Sequence, residues 1–276
     1  MLAANKYTGP DVARWRRWVL RYARAAVILL LVVWLGTFAA SVLRLGQLPP
    51  ALRSLPFMLL SISLAAALWA RFERQRLVRE AAFPQFLKRK VRETYPHLSG
   101  KDAELVERGL RQFFLACLRS NGKFVAMPSQ VVDSMWHAFI LHTRAYRDWC
   151  DLLLGRFVDH VPADVLGGNA KTNDGLRRAW YWACRDENIQ PKAPTRLPLL
   201  FALDAKLHIA NGFVYVPDCG GVRRSDDQGG AHCGESFSDG SYSGDAGTFG
   251  GSDSAGNDAG DGGSGGGDGG GCGGGD

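Results

Sequence analysis

The residues able to do chemistry crowd into one stretch, Asp133 to Pro162, which reads DSMWHAFILHTRAYRDWCDLLLGRFVDHVP. It contains Asp133, Trp136, His137, His142, Tyr146, Cys150 and His160. On an ideal helix Asp133 and His137 stand one turn apart and share a face, whereas His142 lies about 140° from His137. His142 therefore cannot serve the same ion on a straight helix. Cys150 and His160 reach the Asp133 face only if the chain turns back after Gly155. Asp133, His137, Cys150 and His160 would then form a carboxylate, imidazole and thiolate set of the kind that binds zinc. Two other readings use the same residues. In one, Asp133 caps or salt-bridges, His137 makes a buried hydrogen bond, Cys150 packs as a small hydrophobe, and no cofactor is involved. In the other, Cys150 is a thiol nucleophile with His137 or His160 as its base. No HExxH, Walker loop, dinucleotide fingerprint or Ser/His/Asp order is present, so no catalytic residue is assigned.

The elements that must hold these residues read as helices. Phe83, Phe86, Leu87, Val91 and Tyr95 recur at three- and four-residue spacing up to Pro96. Ser99 and Asp102 have the spacing of a capped helix start ahead of Leu105, Val106, Leu110, Phe113, Phe114 and Cys117, and Asn121-Gly122 closes that helix. Val131 through Leu141 leave almost no polar face, so this helix is expected at the centre of a bundle. Thr143 can cap a continuation ending at Gly155, Asn173 a helix through Trp182 and Cys184, and Thr195 one through Leu203. Asn211-Gly212 between two apolar runs implies a short β-hairpin, with a helix ending at that dipeptide as the alternative.

The chain of 276 residues has a formal charge of +6. That charge is unevenly distributed: no Lys or Arg follows Arg224, leaving a tail of about −10 and a remainder of about +16. Residues 25–43 form an uncharged apolar run of about 19, close to the ~20 that span a bilayer, and residues 54–70 a shorter one of about 17. We read these as a transmembrane hairpin, with Pro56 in the first turn of its second span. Arginines and lysines flank its two outer ends, at residues 6–24 and 71–92, against only Arg44 and Arg53 between the spans. The positive-inside rule then places both termini in the cytoplasm. Residues 1–24 are a basic juxtamembrane segment, in which Trp15, Trp18 and Tyr22 fit a short helix among anionic headgroups. No nucleic-acid signature accompanies those charges. Residues 80–218 form a helical domain, and residues 219–276 a Gly/Ser/Asp-rich tail that cannot bury enough surface to order itself. Cys117, Cys150 and Cys184 lie in apolar helices, as reduced cytosolic thiols do. Cys219, His232, Cys233 and Cys272 form a looser set in the tail.

Asp133, Trp136-His137, Ile140-Leu141, Thr143, Tyr146, Cys150, Gly155 and His160-Val161-Pro162 resemble the signature WH-x-x-I-L-x-T-x-x-Y-x-x-x-C of the glycine-rich domain-containing protein-like family. The resemblance covers roughly Phe83 to Cys219. It implies a mainly helical domain accompanied by glycine-rich segments, and it implies no particular reaction. Phe139 and Thr143 stand where plant members tend to have a second histidine and a proline.

The expected architecture is therefore mainly α: a transmembrane helical hairpin, a cytosolic helical bundle, a short β-hairpin and a disordered glycine-rich tail. The expected role is a membrane-anchored interaction or scaffold module that meets anionic lipid headgroups and a protein partner, not a nucleic acid. The alternative is a metal-dependent or thiol enzyme centred on His137 and Cys150.

Overall fold

The computed structural model describes residues 12–43, 50–160, 170–217 and 232–233. The two apolar segments become its first two helices, α1 (Arg14–Leu43) and α2 (Pro50–Glu80). They run antiparallel: Arg16 pairs with Glu73 at 2.9 Å, and the Arg74 guanidinium donates to the Leu20 carbonyl at 2.7 Å. The stretch Ser54–Glu80 is long and apolar enough to cross a membrane, and only 17% of its apolar window is buried. A soluble core helix of that length would hide its apolar side chains, whereas Phe57, Ile62, Leu64 and Phe72 are exposed. α1 qualifies as a second span only if Arg14–Ala23 and Ala25–Ala40, bent by 48°, are taken together. Trp15, Trp18 and Tyr22 are exposed on the first half of that bend. Pro56 lies inside α2 and not in its first turn, because the helix starts earlier, at Pro50.

The domain is assembled around α4 (Gly100–Arg119). Ser99 and Asp102 form a reciprocal capping box at its start. The α4 run from Gln112 to Cys117 is buried on every side, by α2, by α3 (Phe86–Thr94), by α5 (Gln130–Ile140), and by α7 (Ala170–Asp186) and α8 (Leu199–Lys206). The expectation that α5 is the central helix is thus corrected. Asp133 and Ser134 are half-buried and His137 is exposed, so α5 covers α4 with one face and turns the other outward. Gly109 permits the close approach of α4 to α8, since a Cβ there would meet Leu203 Cδ1 at 2.4 Å.

α6 (Thr143–Trp149) runs into one turn of π-helix, Cys150–Leu154. Gly155 stops it at φ 68°, with its N–H donating to the Cys150 carbonyl at 2.9 Å. α8 starts at Leu199, with Pro198 and not Thr195 as its N-cap residue. Its first free N–H groups are met by Glu187 and Gln112, which accept from Leu199 and Leu200 at 2.6 and 2.9 Å. The expected hairpin about Asn211-Gly212 does not form. α8 runs on to Lys206, the dipeptide sits in a turn, and β1 (Tyr215–Val216) instead pairs in parallel with β2 (His232–Cys233). The remainder of the 219–276 tail, with Cys219 and Cys272, lies outside the described residues.

Candidate metal centre

Asp133 enters the site from the first turn of α5, where a carboxylate is favoured by the helix dipole. The turn itself is held by an acid from elsewhere in the fold. Buried Asp204 on α8 accepts from the Ser129 hydroxyl at 2.7 Å and from the backbone N–H groups of Gln130 and Val131 at 2.7 and 3.1 Å. The Ser129 hydroxyl accepts from the Val132 N–H at 3.4 Å, so the first three helical N–H groups of α5 are satisfied. Asp204 also accepts from the Phe213 N–H at 3.0 Å, tying the turn after α8 to the start of α5. Sequence reasoning did not find this residue, although a lone acid inside the apolar run LLFALDAK was a usable signal.

His137 follows Asp133 by one turn, and its Nδ1 lies 3.2 Å from Asp133 Oδ2 and 3.1 Å from the Asp133 carbonyl. The chain returns after Gly155 and brings His160 Nε2 to 3.1 Å from Asp133 Oδ1. The two imidazoles lie side by side, ring centres 4.2 Å apart. One ligand atom from each of Asp133, His137 and His160 falls within 4.8 Å of the others. A tetrahedral zinc with bonds near 2 Å spaces its ligands by about 3.3 Å, so small side-chain rotations suffice to close the three on one ion. The His137 side chain is 52% exposed, Asp133 31% and His160 14%, so the cluster opens to solvent on the His137 side. Two imidazoles and one carboxylate form a donor set suited to zinc or other first-row divalent ions.

The return of His160 has a visible cause. The buried Tyr146 hydroxyl accepts from Trp136 Nε1 at 3.1 Å and donates to the Val158 carbonyl at 2.6 Å. Trp136 in turn presents its ring to His160, centres 4.7 Å apart. Trp136 and Tyr146 therefore fix both the segment carrying His160 and the orientation of its imidazole.

Cys150 is not brought into this group. It is fully buried, its thiol in contact with the Tyr146 hydroxyl and the Val158 backbone, and burial pushes it up to about 12. The same cause holds Cys117 and Cys184 at about 12. A thiol kept protonated by burial is a poor nucleophile, so the geometry does not favour Cys150 as one. His142 stands apart as well, stacked on Phe86 with ring centres 3.8 Å apart.

The UCP032817-like family model matches residues 73–237, a span that contains all of these side chains and leaves out α1 and most of α2. No curated protein and no solved structure matches the chain.

Proposed function

The chain belongs to the UCP032817-like family, and we propose that it is a membrane-anchored module whose cytosol-facing helical domain carries a divalent metal centre at Asp133, His137 and His160. In this reading both apolar helices cross the bilayer and both termini are cytoplasmic. The support is the exposed apolar surface of α1 and α2, together with the basic residues beyond their outer ends. The resemblance to the glycine-rich domain-containing protein-like family belongs to the same proposal, carried by Trp136 and Tyr146, which form the internal frame of the site, and by Cys150, which packs in the core. The domain acts as an interaction or scaffold module toward a protein partner.

The observation that carries the metal assignment is the convergence of Asp133, His137 and His160 within 4.8 Å. A bound ion would join α5 to the 155–160 segment and set the outer face of the domain. Reporter fusions after Val216, combined with alkaline extraction of membranes, test the anchoring. A cytoplasmic signal in an extraction-resistant protein is expected, and a signal from the opposite side contradicts the topology.

A second reading, metal-dependent catalysis, is favoured by the three-ligand geometry. Three protein ligands leave one position of a tetrahedral ion open, and such an ion lowers the pKa of bound water. Cobalt(II) in the site distinguishes the two roles. A change in its visible bands on adding azide indicates an open position, and bands indifferent to azide restrict the ion to a structural part.

A further inference from the structure

A cavity of about 570 Å³ opens where the hairpin meets the domain. Its apolar end includes Val27 and Ile28 of α1 and Ala67 of α2, and its polar end includes Arg71 and Arg74 of α2 and Arg156 from the segment after Gly155. Among the described residues lining it there is no carboxylate. Glu73, the neighbouring acid on α2, is paired with Arg16 and Arg76.

Two of the three guanidiniums are positioned by the protein. Arg74 is 7% exposed, donates to the Leu20 carbonyl and lies over Gly155, where an added Cβ would overlap its Nη1. Arg156 donates to the Cys117 carbonyl at 3.2 Å. Arginine heads held in this way at the wall of a cavity suit the oxygens of a phosphodiester.

Depth decides what kind of phosphodiester. The apolar run of α2 ends at Ala70, so Arg71 and Arg74 stand at headgroup level on the basic side of the membrane. Ala67 lies about one helical turn deeper, ~6 Å, at the start of the hydrocarbon. The cavity is thus cationic at headgroup depth and apolar at acyl depth. Basic pockets between membrane helices on the cytoplasmic side are the sites that take anionic lipid headgroups.

We infer that this cavity binds one anionic phospholipid of the cytoplasmic leaflet, its phosphate among Arg71, Arg74 and Arg156 and an acyl chain along Val27, Ile28 and Ala67. The inference rests on the membrane-spanning reading of α1 and α2. The bound lipid joins three parts of the chain, since α1, α2 and the π-helical turn meet around the cavity.

The test uses the full chain reconstituted in vesicles of phosphatidylcholine alone or mixed with phosphatidylglycerol, then extracted in mild detergent for native mass spectrometry. One phosphatidylglycerol retained per chain in preference to phosphatidylcholine is expected. Arg71→Gln with Arg156→Gln lowers that preference on the order of tenfold. Ala67→Phe, which fills the apolar end and leaves the charges in place, abolishes retention. Equal retention of both lipids, unchanged preference in the double variant, or displacement of the lipid by inorganic phosphate overturns the inference. Alkaline extraction of the same vesicles separates the two levels. A chain that fails to insert defeats the membrane reading and this inference with it, whereas a chain that inserts but shows no lipid preference defeats this inference alone.

Discussion

Asp133 and His160 are 27 positions apart in the chain, and their side chains meet at 3.1 Å. The contact closes a segment that leaves α5, passes through α6 and the π-helical turn, reverses at Gly155 and returns to the face it left. Each step depends on a particular residue, and each can be tested separately.

Tyr146→Phe removes the hydroxyl that links Trp136 Nε1 to the Val158 carbonyl and leaves both buried groups without that partner. A loss of about 2 kcal/mol in urea unfolding is expected. Metal affinity should fall about 10- to 100-fold as well, because the frame that orients His160 is loosened.

Gly155→Ala meets two obstacles. Residue 155 sits at φ 68°, and the space its Cβ would take is filled by the Arg74 guanidinium. We expect a loss of about 2 kcal/mol, together with faster proteolysis of the 155–160 segment. Unchanged stability would mean that Arg74 and the reversal are not coupled.

Asp204→Ala leaves the Ser129 hydroxyl and three backbone N–H groups without their acceptor, the bonds of Ser129 and Val131 being buried and those of Gln130 and Phe213 part-buried. The expected cost is about 3 kcal/mol. Hydrogen exchange should locate the change at the amides of Gln130, Val131 and Phe213.

The three buried thiols give an alkaline signature. Cys117, Cys150 and Cys184 are raised by burial from an ordinary value of 9.0 to about 12. Below pH 9 the folded and unfolded chains both keep these protons, so the stabilising effect is complete. Between pH 9 and about 12 only the unfolded chain releases them, and stability falls as pH rises. Denaturant midpoints measured across this range should decline, and Cys184→Ala should flatten the slope. At neutral pH iodoacetamide should label these three cysteines only after unfolding.

Much of this arrangement was legible in advance for geometric reasons. A period of 3.6 residues puts Asp133 and His137 on one face and His142 on another, and Ser99 with Asp102 marks the start of α4. What remained hidden depends on contacts between distant segments. Cys150 and His160 were equally eligible to approach Asp133, and the Tyr146–Val158 hydrogen bond decides between them, bringing His160 to Asp133 and leaving Cys150 in the core. The apolar pattern of α5 shows how much of a helix wants cover but not what supplies it, so the central place of α4 could not be read from it. Asp204 lies more than 70 positions from the N–H groups of Gln130 and Val131, a distance no local motif spans.

The most direct test of the metal centre is a zinc titration of the purified full chain, followed by calorimetry, in a version with Cys219, Cys233 and Cys272 changed to serine so that tail thiols cannot contribute. One ion per chain is expected. Asp133→Asn, His137→Ala and His160→Ala should each weaken binding by more than about 100-fold, whereas Cys150→Ala leaves it unchanged. Absence of binding, binding indifferent to all three substitutions, or binding lost with Cys150→Ala would contradict the centre described.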